Sequence, residues 1–423
     1  MIRELLELRK ALRNQKRASS DLEALRERKL RAVIRNAYDH VPYYRSLFRE
    51  AGLSPEDIRT VEDLRNVPIT TKDDLRAAGL ENRTAQWADL SKCCERATSG
   101  STGKPFAAHL TDSELKTVRM VQMAAVLSIG FRPRDRYAHI GGAQSFPRRL
   151  HHRLGMYRRK AFPISLPTEV FVQRLKEYQP TIVLATPSAL RSLLHNLDYP
   201  LSRVIRPRIF ISGGEVFDNM VKNRIAADLD AEWFDSYGAY ECGQIAWECA
   251  RHEGLHVNSD YVILECLQGE EAVEGEQAGT AIVTNLIAFA QPFIRYKLGD
   301  LCRPLNKQCS CGRSLPLIDH PIGREEDMVK LPSGKLLTAN LFHYAVGEFT
   351  GIDQWRVIQE SEDRFVLKLV MPEKPDGEML RELEATLLEY LREPVSVDIQ
   401  LVDFMEEETT KFRTFTSKIP PLP

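Results

Sequence analysis

The chain has 423 residues, with 58 Lys and Arg against 59 Asp and Glu, for a formal net charge of −1. That balance leaves no polybasic footprint for a nucleic acid partner, and 43% hydrophobic with 28% charged residues is the composition of a folded globular chain rather than a disordered one. The length has room for two or three domains, each able to bury its own core.

The N-terminus, MIRELLELRKALRNQKR, is charged within its first residues and has no apolar core, so no secretory signal is expected. Leu5, Leu8 and Leu12, then Leu22, Leu25, Leu30, Val33 and Ile34, recur at helical spacing, which predicts a helical segment over residues 1–38. Ser19, Ser20 and Asp21 interrupt that pattern and are expected to cap a second helix. A basic amphipathic stretch is able to lie on an anionic membrane. The interspersed acids favour a solvated helix packed on its own domain instead.

Next comes Thr98-Ser-Gly-Ser-Thr-Gly-Lys-Pro105, which reads as a phosphate-handling loop. Gly100 and Gly103 let the backbone approach a ligand, Ser99, Ser101 and Thr102 offer hydroxyl donors, and Lys104 adds a cation. Two residues rather than four separate the glycines, and Pro105 discourages a helix, so this is not the Walker pattern.

The helical stretch around Val118 to Ile129 is too short and too polar to span a bilayer. Thr181–Ala185, Arg208–Ser212, Tyr261–Glu265 and Thr280–Thr284 read as buried strands, with helices at Val170–Tyr178 and Pro187–Leu197. Strand–helix alternation predicts an α/β domain with crossover connections. The Ser212-Gly-Gly-Glu215 turn follows a strand directly, as active loops in such sheets do. After Gly323 the rhythm changes to a small α+β unit: Trp355–Gln359 pairs with Arg364–Val370, Leu380–Leu391 is helical, and Val395–Val402 is another strand. The expected division is a helical segment at 1–38, a large domain at 39–321 and a small domain at 322–423.

Three further motifs follow the first in order: Ser236-Tyr-Gly-Ala-Tyr-Glu241, Arg295-Tyr-Lys-Leu-Gly-Asp300 and Gly323-Arg-Glu-Glu-Asp327. Together with Thr98–Pro105 they resemble the YG-x-x-E, Y-(R/K)-x-GD and GR-x-x-D motifs and the phosphate loop of the adenylate-forming superfamily. His40-Val-Pro-Tyr-Tyr-Arg45, Val67-Pro-Ile-Thr-Thr-Lys-Asp-Asp-Leu75 and Ile211-Ser-Gly-Gly-Glu215 resemble the phenylacetate–CoA ligase and coenzyme F390 synthetase branch. The resemblance runs from about residue 30 to the C-terminus. It implies an α/β fold: a large AMP-binding (adenylation) domain with β-sheets flanked by helices, plus a small C-terminal α+β domain rotating on a hinge near Glu325–Asp327.

Activating a carboxylic acid with ATP means attacking the α-phosphorus and expelling pyrophosphate, so phosphate charge must be neutralised and the oxygens oriented. By resemblance, Ser99 to Gly103 and Lys104 serve the β- and γ-phosphates, Glu241 holds Mg²⁺, and Asp300 accepts the ribose hydroxyls. Gly213, Gly214 and Glu215 line the adenine side beside Ser236, Tyr237 and Gly238, and Arg324 lies near the nucleotide. The C-terminal catalytic lysine is assigned to Lys411 in Thr410-Lys-Phe-Arg413, where Thr410 stands in place of the family's glycine; Lys418 is the alternative. His139, Gly141 and Gly142 on one side and Ala239 on the other are expected to border the acyl pocket. Aromatic walls over a glycine floor suit a flat acid.

Two soft-ligand clusters remain. Cys309-Ser-Cys311 presents two thiols in one turn, and Cys249 lies upstream with His252 and His256. Two ligands from each cluster complete a tetrahedral zinc set, and F390 synthetase-like relatives resemble the arrangement. The expected ligands are Cys249, His256, Cys309 and Cys311, with His252 competing. Cys93, Cys94, Cys242, Cys266 and Cys302 are expected to be packing residues, because a cytoplasmic chain does not suggest a disulfide framework. The function implied is ATP-dependent conversion of an aryl or arylacetic acid to an acyl-adenylate, then to a CoA thioester, in the cytoplasm, with a homodimer as the assembly. Adenylyl transfer to a phenol or amine, and a non-catalytic nucleotide-binding assembly partner, are the competing readings.

Overall fold

The computed structural model describes residues 2–97, 106–141, 155–163, 166–195, 197, 199–215, 219–349, 351–352, 354–371, 374–403 and 414–419. Two compact units emerge. The first takes Met1–Arg96, Ala107–Leu298 and Cys302–Pro321; the second takes Ala97–Phe106, Gly299–Leu301 and Ile322–Pro423.

In the first unit a nine-stranded sheet carries the candidate site. Five neighbouring strands run parallel, in the order Arg158–Phe162, Arg136–Ile140, Ile182–Ala185, Ile209–Gly213 and Glu232–Ala239. Parallel neighbours need crossovers, and the apolar helical windows supply them. The helix Thr168–Tyr178 buries Phe171, Val172 and Leu175, and Pro187–His195 follows directly on Ile182–Ala185. Both contribute to one core with Ala138, Ile140, Val183 and Phe210 of the strands. Past Glu232–Ala239 the sheet turns antiparallel, through Gly243–Glu248, Leu255–Val257, Leu317–Ile318 and Pro304–Leu305.

The stretches Tyr261–Glu265 and Thr280–Thr284 form strands, but not in that parallel sheet. They belong to Val262–Gln268 and Gly279–Asn285, which pair antiparallel in a second sheet. Cys266 of the first is bonded to Cys302 as a disulfide, with Cα atoms 6.2 Å apart, which corrects the expectation that both are packing residues. Sheet geometry brings the two within bridging distance across 36 residues of sequence.

Helices Ile2–Asn14 and Ser19–His40 form where the leucine spacing predicts them. The second is capped differently, however: its N-cap is Ala18, with no side-chain cap bond, so the serines lie inside the first turn. Leu30, Val33, Ile34 and Ala37 pack with Tyr44, Phe48, Ile263, Leu286 and Ile294 in a single core, so this segment is integral to the first unit.

The second unit has a four-stranded sheet ordered Ser396–Leu401, Arg364–Val370, Gln354–Ser361 and Phe415–Ser417. Its central pair is antiparallel, with Trp355 opposite Leu369. Helix Gly377–Leu391 starts at an Asp376 cap on the Met379 N–H and buries Leu383, Leu387 and Leu391 against this sheet's core. Also within this unit, Asp300 and Leu301 pair antiparallel with Arg324 and Gly323.

Candidate functional site

The parallel register aligns two of the motifs. Ser212 pairs with Asp235 and Gly213 with Ser236, so the Ser212–Glu215 turn and the Ser236–Glu241 segment share the carboxyl edge of adjacent strands. That edge is where open α/β sheets bind ligands. Close backbone approach explains the glycines. A Cβ on Gly213 would lie 3.0 Å from the Ser236 carbonyl oxygen, and one on Gly238 only 2.5 Å from the Gly243 carbonyl oxygen. Gly214 adopts φ +83°, a left-handed conformation.

After Ala239 the chain turns back into Gly243–Glu248, with the Cys242 N–H donating to the Ala239 carbonyl at 3.2 Å. Glu241 sits in this turn and is only 5% exposed. A buried carboxylate requires partners. The Tyr296 hydroxyl donates to Glu241 Oε1 at 3.2 Å, and Lys72 Nζ stands 3.8 Å from the same oxygen. Tyr237 is buried, Glu215 and Gly238 are exposed, and Gln244 Nε2 donates to Ser236 Oγ at 2.9 Å.

His139 and Gly141 end another strand of the sheet. Gly141 has φ +101°, and a Cβ there would approach Ala189 Cβ at 3.3 Å. Burial lowers the His139 pKa and keeps the ring neutral. Three inter-strand steps separate this strand from the one bearing Ala239, about 14 Å at the usual strand spacing. Strands Ile182–Ala185 and Ile209–Gly213 lie between them in the same sheet.

In the second unit Arg324 Nε and Asp300 Oδ1 form an ion pair at 3.0 Å, a consequence of their direct pairing on adjacent strands. Lys418 Nζ reaches both Glu360 carboxylate oxygens, at 2.9 and 2.7 Å.

Cys249, His256, Cys309 and Cys311 gather so closely that their ligand atoms all lie within 4.8 Å of one another. Cys249 follows strand Gly243–Glu248, His256 lies on Leu255–Val257, and Cys309 and Cys311 flank a turn closed by Gly312 N–H to the Cys309 carbonyl at 3.1 Å. Glu253 ties the two knuckles together by accepting the Ser310 N–H and hydroxyl, both at 2.7 Å. His252 goes elsewhere: its Nδ1 bonds Glu248 at 2.9 Å and its ring stacks on Phe234. Burial, helped by the Arg313 charge, holds His256 down at about 4, so the imidazole is neutral with a lone pair for a cation. Burial pushes the Cys249 thiol up and Cys309 to about 12. Burial works against Cys311 too, but Arg313 and Cys309 outweigh it and lower its pKa. Three thiols and a neutral imidazole at this spacing match the donor chemistry of tetrahedral zinc.

No family model matches the chain. The phenylacetate–coenzyme A ligase of Escherichia coli (strain K12) is 28% identical over 322 residues, covering 73% of this chain and 72% of that protein. Its Pseudomonas putida counterpart is 29% identical over 328 residues, covering 74% and 73%. Among solved structures, 2-hydroxyisobutyryl-CoA ligase in the postadenylation state with 2-HIB-AMP superposes with a TM-score of 0.76 at 22% identity, over 96% of this chain and 91% of that one. The chain has the adenylate-forming ligase fold and is a relative of the phenylacetate–CoA ligases.

Within this fold, the expected phosphate-loop residues Ser99, Gly100, Ser101, Thr102, Gly103 and Lys104 lie outside the described residues, as do Gly142 and Lys411. Two groups escaped the reading of the sequence. Lys72 lay in the Val67–Leu75 stretch, used there only as a family resemblance, although a cation in a motif is itself a signal. His320, Asp235 and Glu248 form the other: His320 Nδ1 bonds Asp235 at 2.9 Å and its Nε2 lies 3.9 Å from Glu248. No local pattern links residues 85 apart.

Proposed function

We propose that the protein activates a carboxylic acid with ATP, forming an acyl-adenylate and pyrophosphate, and then transfers the acyl group to CoA with release of AMP. The observation that carries this reading is the buried Glu241 carboxylate, held by Tyr296 beside the paired Gly213–Ser236 edge. A buried acid at that edge, next to glycines that open the backbone, suits a metal-bound polyphosphate. In this reading Glu241 holds Mg²⁺, which supplies charge neutralisation at the phosphates. Gly213, Gly214, Glu215, Ser236, Tyr237 and Gly238 take the adenine side, Asp300 the ribose and Arg324 the nucleotide. The Lys104 loop and Lys411 keep the phosphate roles the motif resemblance implies.

The acid is proposed to be aryl or arylacetic, in line with the names of the curated relatives. Cys249, His256, Cys309 and Cys311 would hold a structural Zn²⁺, stapling the turn at Cys309 to the edge of the sheet. Dependence on ATP and CoA makes the cytoplasm the proposed location. Acid-dependent ATP–pyrophosphate exchange over aromatic, arylacetic and aliphatic acids tests the first half-reaction, and thioester formation with CoA tests the second. Exchange confined to aryl acids, followed by a thioester, is the expected result. A stable AMP conjugate of a phenol or amine in its place would overturn the acceptor.

A further inference from the structure

The helix Ile2–Asn14 is fastened to the first unit along one side. Ala11 is buried with Val121, Ala124 and Tyr261, and Leu8 and Leu12 pack against that cluster. At the end of the helix, buried Asn14 donates through Nδ2 to Asp260 Oδ2 at 2.7 Å. Gln15, just beyond, accepts the Ser128 hydroxyl at 2.7 Å. These contacts fix the inner side, so the helix cannot turn its outer side away from solvent.

That outer side is built from two kinds of residue. Between residues 3 and 13 the exposed positions are Arg3, Leu5, Leu6, Arg9, Lys10 and Arg13, four cations and two leucines. Leu5 and Leu6, 59% and 52% exposed, are the most accessible large hydrophobic side chains among the described residues. Successive residues advance by about 100° round a helix. Leu5, Arg9 and Arg13 therefore follow one strip, with Leu6 and Lys10 on the next. The same steps put Glu4 and Glu7 further round the helix, where both are half-buried, and Glu7 reaches back to Lys10 at 2.7 Å. Asp112 on the neighbouring helix feels the Arg3 charge but is bonded to Lys116. The acids that make this stretch look mixed in sequence thus do not share its exposed face.

We propose that the outer face of Ile2–Asn14 docks the protein on an anionic lipid surface. Leu5 and Leu6 enter the boundary between headgroups and acyl chains, while Arg9, Lys10 and Arg13 stay level with the anionic headgroups. An acidic protein would satisfy the cations alone; a lipid interface takes cations and leucines from one face together. The helix lies in the plane of the interface, and no described helix is long and apolar enough to cross a membrane. The inference does not depend on the ligase reading. It agrees with the proposed location, because the cytoplasmic leaflet carries anionic lipids.

The test is co-sedimentation of the full chain with vesicles of phosphatidylcholine, alone or mixed with phosphatidylserine, at low and high salt. Wild type is expected to bind the mixed vesicles only, and to release them as salt rises. Arg9→Glu combined with Arg13→Glu is expected to abolish binding, and Leu5→Ser combined with Leu6→Ser to weaken it about tenfold. All four side chains are exposed, so the melting curves of these variants are expected to match wild type. Leu401→Ser removes an exposed leucine of the second unit and is expected to bind as wild type does. Wild type that stays in the supernatant with the mixed vesicles overturns the proposal. So does undiminished binding by the double serine variant, which would mark plain adsorption of charge. Retention on polyglutamate without vesicle binding would assign the face to an acidic protein and overturn the lipid surface as its partner.

Discussion

Tyr296 hands its hydroxyl hydrogen to Glu241 at 3.2 Å, joining two sequence motifs 55 residues apart in one buried contact. The second sheet thereby fixes the acid carried by the first. Replacing Glu241 with Gln keeps the shape and removes the charge, and is expected to lower acid-dependent exchange about 100-fold, the scale of losing one preorganised electrostatic group. Tyr296→Phe removes one donor and is expected to cost about 1 kcal/mol of stability, read as a lower denaturant midpoint at unchanged slope.

Gly238 tests the geometry of the same turn. An added Cβ would stand 2.5 Å from the Gly243 carbonyl oxygen, a backbone atom unable to swing aside. Gly238→Ala is expected to destabilise the protein by about 1–3 kcal/mol through overpacking and to reduce exchange by displacing Glu241. Normal melting and exchange would show that the turn relaxes freely.

The four-ligand cluster predicts one zinc per chain in carefully purified protein, measured by elemental analysis. Cys311→Ser is expected to abolish stoichiometric metal, and a strong chelator to lower the melting temperature of wild type but not of the variant, because metal binding is coupled to folding. Metal-free wild type with an unchanged melting curve would dismiss the site.

His320 gives a pH signature. Burial disfavours its charged form, but the Asp235 hydrogen bond and the charges of Asp235, Glu248 and Asp319 together outweigh that and raise its pKa. A raised folded pKa means the native state holds its proton more tightly than the unfolded chain does. The resulting stability is complete below the unfolded value of about 6.5. It is lost as pH rises through the folded pKa. Denaturation midpoints from pH 5.5 to 8.5 are expected to fall with pH in wild type and to fall less in His320→Gln.

Much of the fold was legible because periodicity survives in single segments. The helices Ile2–Asn14 and Gly377–Leu391 and the strands Ile182–Ala185 and Ile209–Gly213 carry apolar faces whose spacing is local information. Sheet membership was not legible. Tyr261–Glu265 reads like any buried strand, and only its partner Gly279–Asn285 makes it antiparallel. Ser19 and Ser20 looked like caps by residue type, yet the extended Ala18 is the N-cap and no side chain caps the helix.

The sequence by itself determined the ordered motifs, the amphipathic segments and the thiols at Cys249, Cys309 and Cys311, because each is written in residue type and short spacing. Tertiary structure alone decided which histidine faces the thiols, that Cys266 meets Cys302, and that Lys72 and Tyr296 converge on Glu241. Those outcomes depend on strand register. A shift of one residue turns every side chain to the opposite face of the sheet, and long-range pairing sets that register.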